Sequence, residues 1–114
     1  MGREEIFYLI RAVIRKEKTA DVLRALSSRG YRGATVYDAK GMGGEGGVVE
    51  LGGRRIAEAL IPRSIVEVAV DSSRVDDVIK IILETSRTGE IGDGRIFVIP
   101  MSMSIRIRTG EKTI

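Results

Sequence analysis

The stretch from Ser64 to Leu83 reads SIVEVAVDSSRVDDVIKIIL, and two different periodicities lie on either side of a short polar turn. From Ser64 to Val70 the side chains alternate, with Val66, Val68 and Val70 on one side and Ile65, Glu67 and Ala69 on the other. A repeat of two is the geometry of a β-strand, so one face is predicted fully apolar and the other mixed. From Val75 the apolar residues recur at Val75, Val78, Ile79, Ile82 and Leu83, the i, i+3, i+4, i+7, i+8 spacing of a helix with one buried face. Ser72 or Ser73 stands where an N-cap belongs. Gly89 follows the helix, and Arg95 to Ile99 reads as a further strand ended by Pro100. The unit is strand–helix–strand.

The same order precedes it. Ile6 to Ile14 is dense in Ile, Phe, Tyr, Leu and Val, broken by Arg11 and Ala12, and reads as a strand apolar on both faces. Lys18 to Arg29 carries Val22, Ala25 and Leu26 at helical spacing, with Gly30 at the stop position. Ala34 to Ala39, around Thr35, Val36 and Tyr37, is a short strand, and Ser104 to Arg108 a last extended piece. Two such units predict an α+β, ferredoxin-like double βαβ sandwich, with an antiparallel sheet and both helices on one face. The expectation is one domain over residues 1–114, a length common for single domains. Helices on one face leave the other uncovered. Since the first and third strands are apolar on both sides, that second face is expected to meet another copy of the chain.

Composition narrows the chemistry. Hydrophobic content of 43% with 31% charged residues is that of a folded globular chain. His, Cys, Trp, Asn and Gln are all absent. Zinc sites, thiol nucleophiles, His-based triads and disulfides are thereby excluded. The lack of Asn, Gln and Cys beside many Arg and Glu resembles the composition of heat-adapted proteins. A formal charge of +3 is too small to announce nucleic acid. No apolar run reaches the ~18–20 residues of a membrane span. Met1 to Glu5 carries acids and does not resemble a signal peptide, so a cytoplasmic location is expected.

Between the two units runs an interruption, Lys40 to Ile61, containing seven glycines, with pairs at Gly43-Gly44, Gly46-Gly47 and Gly52-Gly53. A connection of this length is usually functional. A long flexible loop at about 41–61 is expected to bind a partner, with Glu45, Arg54 and Arg55 as its charged features.

Three features suit an anionic ligand. Gly92-Asp93-Gly94-Arg95 is a turn entering a strand, where glycines let backbone N–H groups approach an anion and Arg95 adds charge. Arg106 and Arg108, if extended, project on one face about 6.5–7 Å apart and suit neighbouring phosphates. Thr35, Lys40-Gly41-Met42-Gly43 and Pro62-Arg63 place more glycines and another cation at the mouth and exit of the loop. Taken singly, each is equally a tight turn or a solvated arginine. Taken together, and with no nucleophile–base pair in the chain, they point to a polyphosphate bound but not processed, and so to a protein that is not an enzyme.

The spacing resembles the PII nitrogen-regulatory family over almost the whole chain. The matching stretches are Gly33-Ala34-Thr35-Val36 with Lys40-Gly41-Met42-Gly43; Pro62-Arg63; Arg87 to Val98; and Ile105 to Glu111. The resemblance implies a homotrimer with ATP or ADP in clefts between subunits and a loop that contacts a target, such as an ammonium transporter or an enzyme of nitrogen metabolism. It implies that Thr35, Gly41 and Gly43 line the nucleotide site, that Gly92, Asp93, Gly94 and Arg95 hold phosphates and the adenine region, and that Arg106 and Arg108 reach phosphates from the neighbour. Arg63 takes the place of a family Lys that contacts phosphates and 2-oxoglutarate.

The departures lie in the loop. The family has there a Gln that helps ligate Mg²⁺ and so recruits 2-oxoglutarate, whereas Glu45 or Gly44 stands in its place here. A carboxylate can hold Mg²⁺ but adds negative charge beside a dianion. The loop tyrosine that some members have modified is also missing, since the tyrosines are Tyr8, Tyr31 and Tyr37. An alternative keeps the fold but changes the ligand to another adenine nucleotide or a small metabolite. An RNA-binding domain would need stacking aromatics on central strands, which are not evident. A phosphate-ester hydrolase would have only a carboxylate such as Asp93 for its base.

Overall fold

Along the first strand, β1 (Phe7–Arg15), Ile10, Ala12 and Ile14 are buried while Leu9, Arg11 and Val13 between them are only half-buried. That asymmetry organises the molecule. The computed structural model describes residues 6–42, 49–52, 54–56 and 60–113. After β1 come α1 (Thr19–Ser28), β2 (Thr35–Met42), β3 (Val49–Leu51), β4 (Arg54–Ile56), β5 (Leu60–Asp71), α2 (Val75–Ser86) and β6 (Gly94–Met101). The main sheet has the order β2-β5-β1-β6 with every neighbouring pair antiparallel. This is the ferredoxin-like α+β arrangement.

The buried side of the sheet presents Ile10, Ala12 and Ile14 from β1 and Val66, Val68 and Val70 from β5. Val22 and Leu26 of α1, with Val78, Ile81 and Ile82 of α2, close over them. Each of these Val, Leu and Ile side chains taken from water contributes about 1.5–3 kcal/mol. Helix α1 stops where Gly30 adopts φ +92. Its N–H bonds Ser27 O at 3.0 Å, and the Tyr31 N–H bonds Leu26 O at 2.9 Å. This paired closure needs a left-handed residue, which glycine supplies without a Cβ penalty.

Several details depart from the periodicities. Neither Ser72 nor Ser73 caps α2: Ser72–Arg74 form a 3₁₀ turn, and Asp71 caps that turn by accepting from Ser73 N at 3.0 Å. Ile81 is buried whereas Leu83 is 37% exposed, because α2 leans on α1 as well as on β1. β6 does not stop at Pro100 but continues to Met101, with Pro100 opposite Tyr8. An edge strand tolerates a proline that a central strand would not. Ser104 to Arg108 is not a strand. It holds one bridge, Ile105 to Lys112, and Arg106 then turns back through Gly110 N→Arg106 O (2.7 Å) and Arg106 N→Glu111 O (2.8 Å).

The interruption also carries strand structure. β2 runs out to Met42, β5 begins at Leu60, and β3 pairs with β4 from Val49↔Ile56 to Leu51↔Arg54. β1 leaves β5 at Arg15↔Arg63, but β2 and β5 stay paired through Lys40↔Pro62, Gly41↔Ile61 and Met42↔Leu60.

Among the described residues, no helix lies over the second face of the sheet. Leu9 faces Ala69 and Ile99, Val13 faces Ile65 and Arg95, and Phe97 is 44% exposed. In the middle, Arg11 Nε donates to Glu67 Oε2 at 2.7 Å, and Tyr37 Oη donates to the same oxygen at 3.0 Å. The face is apolar with a charged centre.

Candidate functional site

At the end of the open face farthest from Phe7, cross-strand register brings three cations together. Arg63 lies between Ala39 on β2 and Arg15 on β1, and Arg95 lies opposite Val13. Arg63 is only 8% exposed. A Cβ built on Gly41 would meet its Cγ at 3.6 Å, so the Arg63 side chain runs alongside the Gly41 backbone. Thr35 sits further along β2, opposite Glu67 and exposed.

The segment from Thr88 to Asp93 closes on itself beside these cations. Asp93 Oδ2 accepts from the Thr88 N–H at 2.9 Å and the Gly89 N–H at 2.8 Å, and Oδ1 accepts from the Thr88 hydroxyl. Arg15 Nε adds a bond to Oδ1 at 3.0 Å. Those donors hold the Asp93 carboxyl well below the usual carboxylate range, the Thr88 hydroxyl being the largest cause, against some desolvation. Asp93 therefore shapes the turn, with its carboxylate taken up by Thr88, Gly89 and Arg15.

Gly94 follows at φ +105, and a Cβ there would lie 1.8 Å from the Val13 carbonyl oxygen. The turn enters β6 so close to β1 that only glycine fits. Arg87, Asp93, Gly94 and Arg95 rim a cleft of about 390 Å³ with Ile79, Leu83 and Val98 on its walls.

Arg106 is elsewhere. It lines a cleft of about 560 Å³ with Phe7, Gly33, Arg32 and Arg74. Tyr31 and Arg29 brace that region, donating to Asp77 Oδ2 at 2.7 Å and Oδ1 at 2.8 Å. Phe7 and Arg15 are the two ends of β1, so Arg106 and the Arg63–Arg95 group stand roughly 25 Å apart at ~3.3 Å of rise per residue. Arg108 follows on the exposed turn.

The structure thus brings Gly41, Arg63, Gly92, Asp93, Gly94 and Arg95 together, leaves Thr35 mid-face, and separates Arg106 and Arg108 from them. Gly43 and Glu45 lie outside the described residues. Arg54 and Arg55 are on β4, opposite Leu51 and Glu50. The sequence reading missed Arg15, Thr88, Arg32 and Arg74. Arg15 is the last residue of an apolar run and Arg32 lies in the turn Gly30-Tyr31-Arg32-Gly33, signals that are faint without the tertiary partners. Among the described residues, no group of three or more acidic residues is placed to hold a metal ion, and no helix is long and apolar enough to cross a membrane.

Fold and site define a ferredoxin-like α+β domain in which Arg15, Arg63 and Arg95 gather at one end of the sheet face opposite the helices and Arg106 stands at the other. Residues 7–111 match the model of the family described as nitrogen regulatory protein P-II. The chain is 43% identical over 103 residues to nitrogen regulatory protein P-II 1 of Methanothermobacter thermautotrophicus, covering 90% of each chain. It is 41% identical over 104 residues to nitrogen regulatory protein GlnK of Escherichia coli K12, covering 90% of this chain and 93% of that one. It is 44% identical over 108 residues to the P-II homolog of Arabidopsis thaliana, covering 93% of this chain but 55% of that one, so it spans about half the length of the plant relatives it matches. The crystal structure of Arabidopsis thaliana PII bound to citrate is similar at a TM-score of 0.77 and 36% identity, over 96% of this chain and 88% of that one. The chain belongs to the nitrogen regulatory protein P-II family.

Proposed function

We propose that this chain is a homotrimeric regulator, not an enzyme, that binds ATP or ADP in clefts completed between its copies. Its 41–61 segment, on this reading, meets a nitrogen-metabolism target in the cytoplasm. One observation carries the proposal: the arginines that suit phosphates form two groups at opposite ends of an apolar sheet face that no helix covers. A mononucleotide cannot bridge both groups within one copy. Stacking copies face to face would bury Leu9, Ile65, Phe97 and Ile99 and bring one copy's Arg106 and Arg108 toward another's Arg63, Arg95 and glycine turn.

In that cleft the triphosphate would lie against the amides of Gly92 and Gly94, with Arg63, Arg95, Arg106 and Arg108 supplying paired N–H donors. Thr35 and Gly41 would line the nucleoside side. Since β2 and β5 run from this site into the 41–61 segment, a nucleotide that binds its arrangements unequally would shift their populations and hence target affinity. That the Arabidopsis relative binds citrate supports an anion site on this fold. Mg²⁺ and 2-oxoglutarate would depend on Glu45 standing in for a Gln.

A second reading, a different adenine nucleotide or small metabolite, is favoured by Arg32 and Arg74, which add cations around Arg106. Calorimetric titration with ATP, ADP, AMP and RNA separates the readings, the ATP runs being repeated with Mg²⁺ and 2-oxoglutarate. ATP and ADP are expected to bind, and RNA is not. Heat from no adenine nucleotide would overturn the proposal, and a preference for AMP would support the second reading.

A further inference from the structure

Arg15 and Arg63 face one another across β1 and β5. Like charges directly opposite on a sheet repel, so one of the two has to be turned elsewhere. Arg15 is turned toward the glycine turn. Its Nε donates to Asp93 Oδ1 and its Nη2 to the carbonyl of Ile91, both at 3.0 Å. Two donors of one planar fork thus hold two points of the same loop, one by charge and one by backbone. Asp93 passes the restraint on through its bonds to Thr88 and Gly89, and the Thr88 hydroxyl accepts in turn from the Glu90 N–H at 3.1 Å. Thr88 through Asp93 is therefore closed internally by Asp93 and moored to the sheet by Arg15.

The Arg15 and Asp93 side chains are 21% and 24% exposed, so the pair is largely shielded from solvent. The consequence is positional. The mooring fixes the approach to Gly94, where β6 begins against the Val13 carbonyl. It also commits the Arg15 fork to the loop.

We propose that Arg15 is a positioning residue for the anion site: by mooring Asp93 and Ile91 it holds the turn in the shape that offers its glycine amides to phosphate, without touching the phosphate itself. The proposal rests on the nucleotide-binding reading above and extends it to a residue outside the glycine-rich motif.

The test compares the unaltered protein with Arg15→Met, Arg15→Lys and Asp93→Asn in two measurements, ATP and ADP affinity and amide hydrogen exchange without nucleotide. Arg15→Met is expected to weaken ATP and ADP alike by about tenfold, or ~1.4 kcal/mol. It should also speed exchange of the Thr88 and Gly89 amides. Arg15→Lys keeps the charge for Asp93 but lacks the second arm to Ile91, so an intermediate loss is expected in both. Asp93→Asn should reproduce the exchange change. Unaltered nucleotide affinity in Arg15→Met overturns the proposal. Weakened binding with unchanged exchange also overturns it, because Arg15 would then be a direct ligand contact. If the unaltered protein binds no nucleotide, the nucleotide reading itself fails, while the exchange comparison still decides whether Arg15 shapes the turn.

Discussion

Arg11 on β1 and Tyr37 on β2 converge on a single oxygen, Oε2 of Glu67, from opposite sides of the strand between them. The acceptor ties three strands together on the face without helices. It also shares one lone-pair region between a cation and a neutral hydroxyl. Loss of water and then the Glu67 hydrogen bond raise the Tyr37 hydroxyl above its ordinary range. In Glu67→Gln the Tyr37 ionisation should move back toward that range, though not fully, because burial is the larger cause. Ultraviolet titration in a Tyr8→Phe, Tyr31→Phe background reads it. No downward movement would mean that Glu67 does not hold the hydroxyl.

The same cluster bears on self-association. If copies stack on this face, Arg11 and Glu67 become enclosed, and removing one partner leaves a charge without its counterion. Glu67→Ala is then expected to destabilise the assembly by about 3–5 kcal/mol, the cost of breaking a buried pair. Sedimentation over a concentration series should show a trimer for the unaltered chain and dissociation for the variant. A monomer in both cases would remove the open face from the functional account.

Gly94 permits a sharper forecast. Its φ of +105 and a virtual Cβ only 1.8 Å from Val13 O leave no room for alanine unless β6 moves off β1. Gly94→Ala should lower folding stability by more than about 2 kcal/mol, measured by urea denaturation. Gly41→Ala is the control. Its Cβ would sit at an ordinary 3.6 Å from Arg63 Cγ, and the cost should stay within about 0.5–1 kcal/mol. Equal losses would show that the close approach at Gly94 is not what selects glycine.

Asp93 sets a pH dependence of definite sign. Its carboxyl titrates below its ordinary 3.8 in the native state, so the bonds it accepts favour the folded turn at every pH above that value. The contribution is lost as pH falls below 3.8 through the lower native value. Protection of the Thr88 and Gly89 amides, corrected for intrinsic exchange, should therefore stay flat from neutral pH to about 4 and fall only in stronger acid. Asp93→Asn should abolish that acid step. A loss centred above 4 would assign the transition to another group.

Arg106→Ala should weaken ATP more than AMP, because the lost donors are expected at the outer phosphates. Isothermal titration of both nucleotides gives the ratio, expected to differ by about tenfold. Equal losses would place Arg106 at the nucleoside or at the α-phosphate.

How far the sequence could be read follows from where each signal resides. Val66, Val68 and Val70 alternate because one sheet face is covered, and Val22 and Leu26 repeat at helical spacing for the same reason, so sheet, helices and chain order were legible. Leu83 was misassigned because a helix wedged between a sheet and a second helix buries an arc rotated toward Ile81, and periodicity carries no record of the neighbour. Pro100 reads as a stop only if its strand is assumed to be central. Ile107 suggested an extended strand, yet it is 98% exposed on a turn held by Arg106 N and Glu111 O. The glycine turn was visible as Gly92-Asp93-Gly94. The residue mooring it was not, since Arg15 and Asp93 lie far apart in the chain and meet only through the β1–β6 ladder.

β2 and β5 remain paired for three rungs after β1 has ended, so Lys40 to Met42 and Leu60 to Pro62 form a two-stranded beam that leaves the main sheet at Arg63. At ~3.4 Å per rung it reaches about 10 Å past the sheet, and a tilt of about 10° at its root would carry its end roughly 2 Å. Arg63 and Gly41 sit where that beam begins. On the proposed reading, an anion seated there would not need to touch the far end in order to move it, because leverage would convert a slight rotation at the root into a displacement about as large as an atom at the tip.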